Sequence, residues 1–241
     1  MRAYIDAEVY LYPAIVTAQY EVEFQPDVWT YLCNHSDAKT AFDKDVAKVK
    51  DVLPDADVVL VFGDSTNFRY AVYPEYKSNR RSTRKPAGYS ALRQWAMDTW
   101  QSEKLPGIEG DDCLGLMARG GDVIVSRDKD LKTIPGLHLR DGELEEISED
   151  QANRTFYTQA LTGDATDGYP GCPGCGPVGA AKVLAGCKTE LEMWLAVLEA
   201  YQKAGKSREF ALQMARCARI LRPGEYDRQR KQAVLWNPPV N

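Results

Sequence analysis

The chain has 241 residues, of which 44% are hydrophobic and 27% charged, and a formal net charge of −5. That is an ordinary soluble composition, long enough to bury a core as one large domain or two small ones. No apolar run approaches a membrane span, and the first residues read as a strand rather than a secretion signal; no acylation or prenylation pattern is present, so a cytoplasmic protein without a membrane partner is expected. The negative sum alone argues against a nucleic-acid partner, unless the acids are gathered at one site.

Residues 2–6 read as a first strand ending on Asp6, and residues 9–20 as apolar and irregular. Pro26 opens a helix candidate over 26–35, with Trp29, Leu32 and Cys33 on one face. Residues 38–52 are more clearly helical, because Phe42, Val46 and Val49 recur at helical spacing; Pro54 stops them. The run 58–62 (VVLVF) is continuous and apolar, as a buried parallel strand should be, and it ends at Gly63-Asp64. Residues 76–97 contain no acid but hold Lys77, Arg80, Arg81, Arg84, Lys85 and Arg93, with Tyr76, Tyr89 and Trp95 among them. In an acidic chain such a block suits polyanion contact, and it is expected to cover the mouth of an acidic site. A helix over 91–100 follows, opened by Gly88 or Ser90.

Residues 107–131 (GIEGDDCLGLMARGGDVIVSRDKDL) organise the rest. Glu109, Asp111 and Asp112 open a short helix candidate (113–117), where the helix dipole favours negative charge. A strand candidate (123–125) then leads to Asp128 and Asp130. Three strands are thus each followed by an aspartate, with helices between them, which points to a doubly wound α/β sheet, mostly parallel. Ligands bind at the carboxyl edge of such sheets. Acids crowded there cannot all stay ionised without cations, and oxygen ligands suit magnesium or manganese. A solvated acidic surface is the plain alternative; two clusters flanking an apolar strand argue against it.

A further strand is expected over 137–141. Ser148 and Gln151 form a capping box for a helix running to Leu161. The stretch TGDATDGYPGCPGCGPVGAAKVLAG adds Asp164 and Asp167 and interleaves Gly171, Gly174 and Gly176 with prolines; Pro177 opens a helix to Leu184. Such a helix–glycine turn–helix unit presents backbone amides to a phosphate. Two more helices follow, one with Leu191, Trp194, Leu195, Leu198 and Tyr201 on one face and one over 209–221; the tail from Pro223 has no strong pattern. Cys172 and Cys175 have CxxC spacing, but no second pair and no nearby histidine completes a zinc site, so the six cysteines read as reduced thiols. The two histidines, His35 and His138, share no motif.

Asp6, FGDSTNFR with YKSNRR, GIEGDD, SRDKDL and GDATDGYPGCPGCGP, in this order, resemble the metal-dependent 5′-nucleases, a family of flap endonucleases and phage 5′→3′ exonucleases. DKDLKTIPG, GDATDGY and QMARCARILR look most like the exonucleases of short-tailed lytic phages. The resemblance covers about residues 2–225. It implies a nuclease core (1–150) with a basic arch segment (76–100), a helical region (151–225) holding a helix–two-turn–helix unit for duplex DNA, and a tail (226–241). It makes Asp6, Asp64, Glu109, Asp111, Asp112, Asp128, Asp130, Asp164 and Asp167 metal-binding carboxylates. The matches to Asp6, Asp64, Glu109, Asp111 and Asp128 lie nearer one ion, those to Asp130, Asp164 and Asp167 nearer the other.

It further implies that Lys77 and Arg81 (or Arg80) contact the scissile phosphate, with Asp111 and Asp128 as the central catalytic acids. Tyr76 would stack on a terminal base; Arg80, Arg84 and Lys85 would hold DNA; Gly174 and Gly176 would form the duplex-gripping turn with a potassium ion. Val178 stands where the family often has lysine, which predicts a weaker grip there. The implied function is two-metal hydrolysis of DNA from 5′ ends, with magnesium, or manganese in its place, and duplex, flapped or RNA–DNA hybrid substrates. The setting would be phage DNA replication and host DNA breakdown in the cytoplasm of an infected bacterium, beside a single-stranded-DNA-binding protein or replisome component. A ribonuclease of the related small acidic-site fold and a catalytically silent DNA-binding relative are the alternatives.

Overall fold

The computed structural model describes residues 1–80 and 83–239. In chain order, β1 (Arg2–Asp6) leads to α1 (Ala7–Thr17), the hairpin β2 (Gln19–Gln25) and β3 (Val28–Cys33), α2 (His35–Val52), β4 (Asp57–Phe62), the short α3 (Arg69–Val72), α4 (Tyr89–Thr99) and β5 (Ser102–Lys104). Then come α5 (Gly110–Met117), β6 (Val123–Val125), β7 (Gly136–Arg140), β8 (Glu143–Ile147), α6 (Glu149–Thr162), α7 (Pro177–Leu184), α8 (Glu190–Lys203), α9 (Arg208–Ala218) and a two-residue pair, β9 (Tyr226–Asp227) and β10 (Gln232–Ala233). The central sheet runs β5-β4-β1-β6-β7-β8, parallel except for β8. Strand order reverses at β1, whose neighbours are β4 and β6, so the crevice for a ligand opens beyond Asp6.

The sheet is covered on both faces because side chains alternate. Ile5, Leu60, Phe62 and Val125 face α1, α2 and α4. Tyr4, Val59, Val61 and Ile124 face α5 and residues 220–221. A third apolar cluster joins α6 to α9 and takes in Tyr76 from the basic segment and Trp236 from the tail. Among the described residues, no helix is long and apolar enough to cross a membrane.

Three stretches differ from the sequence reading. Residues 7–17 are helical although they read as irregular: Ala7, Tyr10, Leu11, Ala14 and Ile15 share the buried face, and Pro13 sits inside the helix and obscures the pattern. Residues 26–35 are not a helix. Asp27 turns the chain at φ 63°, and Val28–Cys33 pairs antiparallel with Gln19–Gln25. Its β-branched and aromatic residues fit a strand, and both faces are largely exposed, with Phe24 at 73% and Trp29 at 60%. The tail also packs: Trp236 stands edge-on to Phe156, Tyr157 and Trp194.

Candidate active site

Beyond the carboxyl ends of β1 and β6 lies a cavity of about 600 Å³. Seven of the expected acids line it: Asp6, Glu109, Asp111, Asp128, Asp130, Asp164 and Asp167. Lys77, Arg80, Lys129, Tyr12 and Tyr89 share the wall, as does Glu8, an acid in the first turn of α1 that the sequence reading missed. Its only signal was its place two residues after Asp6.

The backbone explains why these side chains meet. Asp6 closes β1, and its carboxylate accepts from Ser126 Oγ at 2.9 Å; Ser126 Oγ accepts in turn from the Asp128 amide at 3.0 Å. Asp128 caps a 3₁₀ turn by accepting from the Asp130 amide at 2.8 Å, and Gln159 Nε2 of α6 donates to Asp130 at 2.7 Å. Asp111 occupies the first turn of α5, behind a capping box made by Glu109 and Asp112. Asp164 and Tyr169 exchange backbone hydrogen bonds, and the Asp164 carboxylate accepts from the amides of Thr166 and Asp167.

That acid loop is closed by two glycines packed backbone to backbone. A Cβ on Gly171 would lie 2.2 Å from the Gly163 nitrogen, and Gly171 has φ +67°. Gly171→Ala is therefore expected to destabilise the fold by at least about 1–2 kcal/mol from the left-handed backbone alone. Urea unfolding would measure it; an unchanged midpoint would show that the loop tolerates opening.

The basic segment grips the same loop. The Lys77 amide donates to Asp167 O at 2.7 Å, Asn79 Nδ2 to Ala165 O at 3.1 Å, and Arg80 to Thr166 O and to the Asp167 carboxylate at 2.8 Å. Lys77, itself at φ 51°, bridges Glu109 and, at 3.5 Å, Asp167.

The charges are uneven. Burial, with the negative charges of Glu8 and Asp128, pushes Asp6 up to about 6 even though Ser126 donates to it. Asp111 is pushed well above the usual carboxylate range by burial and by Asp6, Asp128 and Glu109. Asp130 is also raised, by burial and Asp128. Glu109 goes the other way: burial would raise it, but Arg69 and Lys77 outweigh that. Burial opposes the Lys77 charge, yet Glu109 and Asp167 hold its pKa above normal. A set of oxygen donors with surplus negative charge fits hard divalent cations, which would relieve those raised values. Among the described residues, no three His, Cys, Asp or Glu side chains already converge in a metal-holding geometry; Lys77 and Arg80 hold part of the cluster instead.

Other expected site residues lie away from the cavity wall. Asp112 does not face the cavity: it is fully buried and clasped by both terminal nitrogens of Arg69, at 2.7 and 2.8 Å. Asp64 does not line the cavity either. It accepts from Lys104 at 2.7 Å, Thr66 at 2.7 Å and the Gly107 amide at 2.9 Å, which override its partial burial and hold it well below the usual carboxylate range. Tyr76 cannot stack on a base as placed, because it is 1% exposed. Its ring lies on Tyr169, and its hydroxyl sits 2.9 Å from Glu109 and 2.7 Å from Asp167. Arg84 stacks on Tyr31 of the hairpin and Lys85 on Tyr89, outside the cavity wall. Gly174, at φ +74°, and Gly176 form an open turn apart from the cavity wall. Arg81 lies outside the described residues.

No protein-family model matches the chain. The exodeoxyribonuclease of Enterobacteria phage T3 is 27% identical over 97% of this chain and 92% of that protein, and the exonuclease of Escherichia phage T7 is similar to the same extent. The phage T5 5′-exonuclease, solved with zinc, superposes with a TM-score of 0.64 at 14% identity, covering 90% of this chain and 88% of that one, which shows a shared fold. The chain is thus similar to two phage exonucleases along nearly its whole length and shares the fold of the T5 5′-exonuclease.

Proposed function

We propose that the protein is a divalent-metal-dependent 5′→3′ deoxyribonuclease that hydrolyses DNA phosphodiesters from 5′ ends. The observation that carries this reading is the meeting of Asp6, Glu109, Asp111, Asp128, Asp130, Asp164 and Asp167 in one cavity with Lys77 and Arg80 on its wall. The T3 and T7 relatives are named as an exodeoxyribonuclease and an exonuclease, which supports it.

In this reading Asp6, Glu109, Asp111 and Asp128 would hold one magnesium ion, and Asp130, Asp164 and Asp167 a second; manganese suits the same oxygen donors. Such ions, when bound, lower the pKa of a water and offset charge on the phosphate. The chain's own part is to orient. Ser126 fixes Asp6, the cap of α5 fixes Glu109 and Asp111, and Gln159 fixes Asp130. Lys77, with Arg80 or Arg81 beside it, would donate to a non-bridging phosphate oxygen, where negative charge builds in the transition state. No histidine base is needed. Arg84 and Lys85 would extend the phosphate path, and the α6–turn–α7 unit, open at Gly174 and Gly176, would hold the duplex backbone with a potassium ion. Duplex, flapped and RNA–DNA hybrid ends are the proposed substrates, in phage replication and host DNA breakdown in the infected cell's cytoplasm, alongside a single-stranded-DNA-binding protein or replisome component.

One gel tests the reading: 5′-labelled duplex, flap and hybrid substrates with magnesium, manganese or EDTA. Cleavage in either metal and none in EDTA is expected. Full-rate digestion after chelation would overturn it. Binding to the duplex should also weaken as salt rises, and a flat salt response would remove the basic segment from the phosphate path.

A further inference from the structure

Arg69 is an arginine in the core, 2% exposed, at the start of α3. Every one of its donors has a use. Nη1 and Nη2 fork onto Asp112, Nε donates to Cys217 O at 2.9 Å, and Nη2 also donates to Arg219 O at 2.5 Å. Nη1 also lies 3.4 Å from Glu109 Oε2 and 3.5 Å from Asn67 Oδ1. Asp112 is as fully engaged: Oδ2 accepts from the Glu109 amide at 3.1 Å and Oδ1 from the Leu221 amide at 3.1 Å. Two separate segments, the first turn of α5 and the chain just after α9, are thereby fastened to one guanidinium.

A pair of this kind is poorly explained as a stabiliser. Desolvating both ions cancels most of their attraction, and apolar replacements are often neutral or better. Its place gives a better reason. The turn it fixes carries Glu109 and Asp111, and a planar fork sets that turn's direction in a way that packing alone does not.

We infer that Arg69 and Asp112 are a positioning pair: they hold the α5 N-terminus so that Glu109 and Asp111 face the cavity, and Asp112 is not itself a ligand. The inference rests on the proposed nuclease reading. In metal sites, groups that orient the ligands typically govern affinity or activity by 10–100-fold, although they touch neither ion nor substrate. Lysine at position 69 keeps the charge but cannot fork, so it preserves neutrality in the core while releasing the direction of the turn.

The test uses the full chain, wild type and Arg69→Lys, with Arg69→Met/Asp112→Leu as the second variant should the lysine form fold poorly. Three quantities are read: thermal melting, manganese binding by calorimetry without DNA, and single-turnover cleavage of a 5′-labelled duplex. Folded Arg69→Lys should bind manganese about tenfold more weakly and cleave about 10–100-fold more slowly at saturating enzyme. The apolar pair loses the hydrogen bonds to the Cys217 and Arg219 carbonyls and from the Glu109 and Leu221 amides, so it should melt below the wild type, yet, assayed well below that melting temperature, keep both defects. If either folded variant binds manganese and cleaves like wild type, the pair serves stability only and the inference falls. A wild type that neither binds manganese nor cuts DNA would overturn the nuclease reading itself, and this inference with it.

Discussion

Asp111→Asn should stop cleavage while leaving DNA binding in place. Asp111 sits in the first turn of α5, among Asp6, Asp128 and Glu109, and is pushed further up than its position near a helix N-terminus would suggest. A carboxyl in that state is a group waiting for positive charge. The amide keeps the shape but carries no negative charge with which to hold a cation. Loss of an orienting neighbour alone costs about 10–100-fold in metal sites, so loss of a central ligand should exceed about a hundredfold in single-turnover rate with saturating magnesium. Duplex affinity, measured by fluorescence anisotropy in calcium, should stay within about threefold, since in the proposed reading binding draws mainly on the basic segment. Normal turnover by the folded variant would remove Asp111 from the centre of the site.

Lys77→Met should lower kcat by about 10²–10³, the range seen when one preorganised donor to a developing negative charge is removed. Its methylene stem keeps much of the packing. Lys77 reaches Glu109 and Asp167 together and so fixes where its positive charge stands. The backbone at φ 51° offers an internal control. Lys77→Gly relieves the left-handed conformation but removes the charge, so it should be as slow as the methionine form and no less stable in its backbone. Equal rates for wild type and both variants in rapid-quench assays would leave Lys77 as a docking charge only.

Much of the sheet was legible because its signals are local. The run VVLVF, the acids closing β1 and β6, the Ser148–Gln151 capping box and Pro177 at the start of α7 each need only a few neighbouring residues. What escaped depends on distant partners or on ambiguous spacing. Trp29, Leu32 and Cys33 satisfy a helical repeat, while Trp29, Tyr31 and Cys33 satisfy a strand repeat; the turn at Asp27 decides between them. Tyr76 lies beside a basic run and reads as exposed, yet it is buried by Tyr169, more than ninety residues on. Adjacent aspartates at 111 and 112 look equivalent, but the step of about 100° between neighbouring helical residues points them apart: Asp112 joins the buried face with Cys113 and Leu116, and Asp111 does not. Periodicity could have separated those two; nothing local could have found Arg69's partners, because Cys217 and Arg219 are about 150 residues away.

The tail contributes a tryptophan to the helical layer. Trp236 fills a slot among Phe156, Tyr157 and Trp194, and Arg216 secures it by donating to the Trp236 carbonyl at 3.0 Å. During synthesis the ribosome releases the β1–β4–β6 portion of the sheet long before that indole emerges. The sheet can therefore begin to assemble while translation continues, but the helices behind it stay incompletely packed until Trp236 arrives to seal them.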